Sequence, residues 1–274
     1  MKIFIPLVIN SIKEIVRQPF YYVILISGCF ITLMSFTFTF FAFGEEARMI
    51  RDMGISTITI SGLLTGCLSS SILIANEFER QTALAVLCKP ISRIHFILGK
   101  YFGIFAATTA LIFCQGLILE IALAINKYAN ISNDITFTLS LVDYYCLLGI
   151  YFSLLQILIL TAISLVLSMY LNTAANLIVC FVVFIFCHTF SYILPFNGLS
   201  LNFMNIIISI CYIILPNLQN LNMVAISDIA NSSAFSFLEG TILTYIVYNS
   251  IYCIIYSIVI IWLAVFLFKR KEIV

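Results

Sequence analysis

The chain has 274 residues, of which 63% are hydrophobic and 9% are charged, and its formal net charge is +1. A soluble domain carries roughly a quarter of its residues as Asp, Glu, Lys and Arg, so this chain could not cover a water-facing surface. The composition predicts a polytopic membrane protein and excludes a separate soluble domain. The net charge gives no indication of a nucleic-acid partner, and none is predicted.

Nine cysteines are scattered through the chain, mostly inside apolar runs, and no two of them form a C-x-x-C motif. This spacing predicts neither a zinc site nor a disulfide framework. We expect free thiols that pack as small hydrophobic side chains, with no metal site.

Residues 2–18 predict an amphipathic helix lying in the membrane interface. Polar groups share one face of a 3.6-residue repeat, at Asn10, Lys13, Glu14 and Arg17. Apolar side chains form the opposite stripe, at Ile5, Val8, Ile9, Ile12, Ile15 and Val16. A signal peptide is disfavoured, because no small-residue cleavage site follows and charges interrupt the apolar region. Pro19 marks the expected bend into the first span.

Six apolar runs each reach the roughly 20 residues that the hydrocarbon core demands. They cover residues 20–43, 55–75, 101–125, 144–170, 174–194 and 242–268. The sequence thus predicts one all-α integral membrane domain over 1–274, with six transmembrane helices. Residues 203–215 form a shorter apolar run, interpreted as a re-entrant or interfacial segment before the sixth span.

The polar connections predict the topology. Residues 44–52 are predicted to form a short charged loop, and 171–173 a turn between the fourth and fifth spans. If the N-terminus is cytoplasmic, alternation puts ten of the thirteen basic residues on the same side: Lys2, Lys13, Arg17, Arg80, Lys89, Arg93, Lys100, Lys269, Arg270 and Lys271. The positive-inside rule therefore predicts that both termini are cytoplasmic.

Gly62 and Gly66 form a G-x-x-x-G motif in the second span. Small residues at i and i+4 let helix backbones approach closely. Packing within one subunit and contact between two subunits are equally compatible with this spacing.

Residues 77–100, here called the elbow, join the second span to the third. Charges of both signs and a proline interrupt the apolar sequence there. Lys and Arg in mid-membrane cost several kcal/mol each, so the elbow must lie outside the bilayer. We expect Asn76 and Glu79 to cap a new helix and Pro90 to end it. A second helix should begin at 92–93 and run into the third span.

Two interpretations of the elbow are open on geometry alone. A short helix tied to two spans suits the transfer of force from a soluble partner. A connecting loop held by lipid phosphates at Arg93 and Lys100 fits equally well.

The residues from Glu77 to Gly103 read E-x-E-R-x-T-x-x-x-x-L-x-K-P-I-S-R-x-x-F-x-L-G-K-Y-x-G. This string resembles the cytoplasmic signature of the type-2 ABC exporter permeases. Gln81 departs from the Gly or Arg that many members carry before the Thr. Residues 215–222 (L-P-N-L-Q-N-L-N) and the 268–272 tail (F-K-R-K-E) are similar to the branch associated with multicopper-enzyme maturation.

The resemblance implies a permease subunit of the bacterial inner membrane, pairing with a second copy as a homodimer and with cytoplasmic ATPase subunits that bind the ATP. The elbow would hold the coupling helix. The residues implied in coupling are Glu77, Glu79, Arg80, Thr82, Lys89, Pro90 and Arg93. Gly99 and Gly103 would let the third span pack closely. The chain has no G-x-x-x-x-G-K-[ST] loop, so it cannot itself be the ATPase.

An ATP-independent membrane protein is the alternative. An intramembrane enzyme would need clustered carboxylates, or His beside an acid, near one membrane face. The spans offer Glu120 and His188, which lie on different predicted helices; we expect Glu120 near the outer interface and His188 as a hydrogen-bonded packing residue. A secondary transporter would need buried charges and broken helices repeated in two halves. The aromatic-rich spans suit a lipid-like cargo and ordinary core packing equally well.

Overall fold

The computed structural model describes residues 4–35, 37, 46–79, 93–130, 143–193, 215–222 and 239–270. Within these ranges the regular secondary structure is helical, which confirms the all-α part of the predicted fold class. Its helices are α1 (Phe4–Val16), α2 (Pro19–Met34), α3 (Glu46–Glu79), α4 (Arg93–Asn130), α5 (Tyr144–Leu167), α6 (Thr173–Ile193) and α7 (Glu239–Arg270). A short 3-10 helix (Gln219–Leu221) lies between α6 and α7 in sequence.

Five of these helices, α3 to α7, are long and apolar enough to cross a membrane. Together α1 and α2 pass the same test, but they are bent by 66° at the break between them. By length and composition the described chain therefore has five candidate spans, or six if the bent pair is one broken span. Pro19 stands at the start of α2, where its missing N–H interrupts no helical hydrogen bond. The rest of the predicted first span, at 36 and 38–43, lies outside the described residues, as do 203–214 of the predicted re-entrant segment.

The predicted charged loop at 44–52 is wrong from Glu46 onward, because α3 already begins there. This first turn carries an acidic residue, which suits the positive end of the helix dipole. Arg48 and Asp52 form an i,i+4 ion pair at 3.9 Å, a spacing that places the two side chains on one helix face. Polar residues that read as a loop thus extend the second predicted span by more than two turns.

The predicted helix start at Asn76 is also wrong, because α3 continues without a break through Asn76 to Glu79. An N-cap side chain is useful only where a helix begins and its first N–H groups lack partners. Inside a continuous helix the preceding turn already accepts those N–H groups, so the pattern at Asn76 has nothing to cap. By contrast, α4 begins at Arg93 and runs without interruption into the third span, as the sequence predicts.

In the described bundle, α3 is the central helix, packed against α2, α4, α5 and α6. The end of the bundle at which α3 ends and α4 begins is here called the elbow side, and the opposite end the far side. One hydrophobic core fills the far half and includes Ile58 and Phe152. A second fills the elbow half, where Phe96 of α4 stacks on Phe268 of α7 with ring centroids 6.1 Å apart. Burial of α3 between these partners makes it the scaffold for the other spans.

Candidate functional site

The predicted coupling residues divide between described and undescribed parts of the chain. Arg80, Thr82, Lys89 and Pro90 lie outside the described residues. Glu77 and Glu79 lie in the last turn of α3, and Arg93 is the first residue of α4. The elbow is therefore entered and left through helices of 34 and 38 residues. At 1.5 Å per residue these are about 51 and 57 Å long, well beyond the roughly 30 Å of the hydrocarbon core.

At Gly99 and Gly103, α1 packs closely against the elbow end of α4. A side chain at Gly99 would run into Leu7 of α1. One at Gly103 would meet Ser11 and, at 3.3 Å, the carbonyl oxygen of Val8. The two glycines thus let the backbones of α1 and α4 approach closely, since no side chain stands between them.

Lys100 lies between these glycines and ties the same two helices electrostatically. Its Nζ is 3.5 Å from Oε2 of Glu14 on α1, and its side chain is only 5% exposed. The ammonium group also lies 5.9 Å from the ring centroid of Phe96. The sequence offers Lys100 as a contact for lipid phosphates, whereas the structure pairs it with α1. A buried ammonium needs such a partner, because its desolvation is otherwise unfavourable.

Gly62 and Gly66 pack against helices of the same chain. The side chain of Ile157 on α5 lies over Gly62, beside Ile112 of α4. The methyl group of Thr161 on α5 lies over Gly66. In this structure the glycine face of α3 is thus filled by α5 and α4, which corresponds to packing within one subunit.

A buried polar cluster joins three helices in the elbow half. The amide nitrogen of Asn176 on α6 lies 2.6 Å from Ser71 Oγ on α3 and 3.0 Å from Ser164 Oγ on α5. The Ser164 hydroxyl also hydrogen-bonds Ser70, and the Cys180 thiol donates to the Asn176 oxygen at 3.4 Å. All five residues are buried. Sequence reasoning missed the cluster, although a Ser69-Ser70-Ser71 run inside a predicted span was a usable signal for polar contact between helices.

A second polar cluster joins α3, α4 and α5 on the far side. Arg51 Nη1 lies 3.1 Å from Asp143 Oδ2, and its guanidinium lies 5.3 Å from the ring centroid of Tyr145. Asp143 also caps α5 by accepting from the Tyr145 N–H at 3.2 Å. Its own N–H points to Glu120 Oε2 at 3.4 Å. Glu120, on α4, is therefore joined through Asp143 to the start of α5, and Asp143 in turn pairs with Arg51 of α3.

Residues 215–222, here called the docked turn, lie among α5, α6 and α7. Gln156 of α5 donates to the Leu221 carbonyl at 3.0 Å. Tyr245 of α7 donates to the Asn220 carbonyl at 2.5 Å. The Asn222 amide nitrogen lies 3.0 Å from Nε2 of His188 on α6. His188 is thus hydrogen-bonded within the bundle, and the turn links three spans.

The described residues contain no group of three or more His, Cys, Asp or Glu side chains arranged to hold a metal ion. No protein-family model and no curated protein matches the chain.

Proposed function

We propose that the chain is the transmembrane subunit of an ATP-binding cassette exporter. It would couple ATP hydrolysis by a separate cytoplasmic ATPase to the movement of a substrate across the membrane. The observation that carries this proposal is the position of the elbow. It connects α3, the most buried span, to α4, and both helices extend well past the hydrocarbon thickness.

The packing supports transmission of force from the elbow. A partner that displaces the elbow acts on α3 and α4 directly, because the elbow contains the last residues of α3 and the first residues of α4. Through the Asn176 cluster, a displacement of α3 reaches α5 and α6. A displacement of α4 reaches α1 through the close packing of the two helices at Gly99 and Gly103. Such packed helices move as rigid bodies between discrete arrangements, which is how local pushes become changes in access.

The resemblance assigns the contact with the ATPase to seven residues of the elbow: Glu77, Glu79, Arg80, Thr82, Lys89, Pro90 and Arg93. In this proposal Glu77 and Glu79, in the last turn of α3, would supply acidic contacts, and Arg93 begins the return helix. The elbow side would face the cytoplasm of a bacterial cell. ATP would be bound by the partner, so the chain itself is a transport subunit and no enzyme.

Pairing with a second copy rests on the same resemblance. Exposed apolar side chains cover the outer surfaces of α2 and α7, including Val23, Ile26, Val259 and Trp262. In a bilayer these surfaces would contact lipid or the second subunit. The homodimer would place the substrate path between two copies of the bundle.

Copurification with the ATPase tests the proposal. The tagged chain, expressed with the ATPase encoded beside its gene, should retain that ATPase through affinity purification and size-exclusion chromatography. Charge reversal with Glu77→Lys and Glu79→Lys should abolish copurification, because the acidic contacts become repulsive. Glu239→Lys, at the far-side start of α7, is the matched control and should retain the ATPase.

Two results would count against an exporter. One is an unchanged yield of ATPase with the doubly reversed elbow. The other is the absence of any gene for a Walker-motif ATPase near that of this chain, which would favour an ATP-independent transporter or an intramembrane enzyme.

A further inference from the structure

The first helix carries a surface that the rest of the bundle leaves exposed. One side of α1 packs on α4 through Leu7 and Ser11. The exposed residues of the opposite side, together with the residue that follows the helix, are here called the outer face: Ile5, Pro6, Ile9, Asn10, Lys13 and Arg17. The outer face is therefore open to whatever surrounds the protein at the elbow side.

The outer face has an apolar edge and a basic edge. Ile5 and Ile9 are 59% and 45% exposed. Each step of four residues turns a side chain by about 40° around the helix axis, so Lys13 and Arg17 continue the same face. The Arg17 N–H still donates to the Lys13 carbonyl oxygen at 3.2 Å, which keeps these two side chains one helical turn apart. Apolar side chains beside cations are typical of a helix that lies where hydrocarbon meets lipid headgroups.

The packing of α1 sets its depth and direction. Its contacts at Gly99 and Gly103 lie about 9–15 Å along α4 from the start of that helix at Arg93. Since α4 is about 27 Å longer than the hydrocarbon core is thick, these contacts are near the membrane boundary on the elbow side. The axes of α1 and α2 differ by 66°. If α2 crosses the membrane, α1 therefore lies closer to the membrane plane than to its normal.

The charges of α1 are unbalanced on the outer face. Glu14 is the one acidic residue of this helix, and Lys100 of α4 pairs with it at 3.5 Å. Lys13 and Arg17 have no ion pair with a carboxylate of the described chain. The outer face therefore carries two positive charges, whereas the lysine that the sequence offered to lipid phosphates is occupied within the protein. Cations on an amphipathic helix attract anionic lipids.

We propose that the outer face of α1 binds an anionic phospholipid at the elbow-side boundary of the membrane. Lys13 and Arg17 hold the lipid phosphate. An acyl chain packs on Ile5 and Ile9, which a free phosphate would leave uncovered. A zwitterionic lipid fits less well, because its headgroup brings a positive charge to a face that already has two. This site does not depend on the exporter proposal.

Amide hydrogen exchange over Phe4–Val16 tests the site, because it reports on α1 alone. The purified chain in dodecylmaltoside is titrated with dioleoylphosphatidylglycerol or with dioleoylphosphatidylcholine, which has the same acyl chains. A helix of 13 residues is marginal by itself, so a ligand of its folded and packed form should slow its exchange. The anionic lipid should do so and the zwitterionic lipid should not. High salt should remove the protection, since the two cations are exposed.

The double variant Lys13→Gln, Arg17→Gln removes both cations. Each cation near a lipid surface contributes roughly a factor of five in affinity, so the phosphatidylglycerol concentration that gives half of the protection should rise about 25-fold. The double variant Arg48→Gln, Lys127→Gln is the charge-matched control. It loses the same two positive charges at the far-side ends of α3 and α4, and it should keep the wild-type midpoint.

Three results would overturn the site. The first is an equal midpoint in the two double variants, and the second is equal protection of the wild type by the two lipids, a comparison that needs no variant. The third is protection by inorganic phosphate alone, which would replace the lipid by a free anion. If Lys13→Gln, Arg17→Gln kept its midpoint but lost a copurified ATPase, the outer face would belong to that protein instead.

Discussion

The side-chain amide of Gln115 occupies the space that a side chain at Gly28 would fill. Its Nε2 donates to the carbonyl oxygen of Ile24 at 3.4 Å, and its Oε1 accepts from Ser61 Oγ at 2.5 Å. Gln115 itself is fully buried. One side chain of α4 therefore fixes α2 on one side and α3 on the other, and glycine at position 28 is what allows it.

Replacing Gly28 with Val should destabilise the protein, because the new side chain and the Gln115 amide cannot share that space. We expect a loss of about 1–3 kcal/mol. Gln115→Ala should cost a similar amount, because it removes the hydrogen bonds to Ile24 and Ser61 and leaves a cavity between α2 and α3. The double variant should lose less stability than the sum of the two single losses. The reason is that Gln115→Ala removes the amide with which the new side chain at position 28 would clash. Unfolding in detergent measures all three, and Ile26→Val, at an exposed position of α2, should have no effect. Strict additivity would contradict the steric explanation.

Asp143 has two separable roles, as the N-cap of α5 and as the partner of Arg51. Asp143→Asn keeps a capping oxygen and removes the charge, whereas Asp143→Ala removes both. The Ala variant should therefore be less stable than the Asn variant by about 1 kcal/mol, the usual value of an N-cap. Unfolding midpoints in detergent at one protein concentration measure the difference.

Asp52 provides the control for that experiment, because it is also a carboxylate paired with an arginine of α3. Its pair with Arg48 is well exposed, at 38% and 41%, so Asp52→Asn should change stability by less than about 0.5 kcal/mol. If Asp143→Asn and Asp143→Ala were equally destabilised, the cap would contribute nothing and the ion pair would account for the whole effect.

Gly103→Val should detach α1 from α4. The added side chain would meet Ser11 and the Val8 carbonyl, and a backbone carbonyl cannot rotate away as a side chain can. Amide hydrogen exchange over Phe4–Val16 should accelerate, because this helix would lose its packing. Gly116→Val on the same helix is the control, since it faces the flexible end of Ile150 on α5. Faster exchange of α1 in both variants would indicate general destabilisation.

Five of the six predicted spans match helices long and apolar enough to cross a membrane. They could be predicted from the sequence because long apolar runs have few alternatives in a membrane. Helix ends were harder. At Glu46 and Asn76 the polar residues read as a loop and as a cap, yet α3 passes through both. A local sequence pattern indicates which residues are able to end a helix. Whether the helix ends there depends on the residues before and after them.

The sequence could predict that helices approach closely at certain positions, but it could not predict which helices pair there. Gly62, Gly66, Gly99 and Gly103 indicated close approach, but spacing alone does not name the partner helix. The hydrogen-bond partners of Gln115 and Asn176 could not be predicted at all. A single polar residue in an apolar run does not indicate which distant group it will bond. Those pairings follow from tertiary packing.

The absence of any break in α3 has a mechanical consequence. A helix of 34 residues without a hinge tilts as one lever, so roughly 5° of rotation about its midpoint moves each tip by about 2 Å in opposite directions. With α5 held in place, such a swing would break the 3.1 Å Arg51–Asp143 contact near the far-side tip. A tilt imposed at the elbow-side tip of α3 would thus separate α3 from α5 at the far side, and the rigid helix itself would carry the movement.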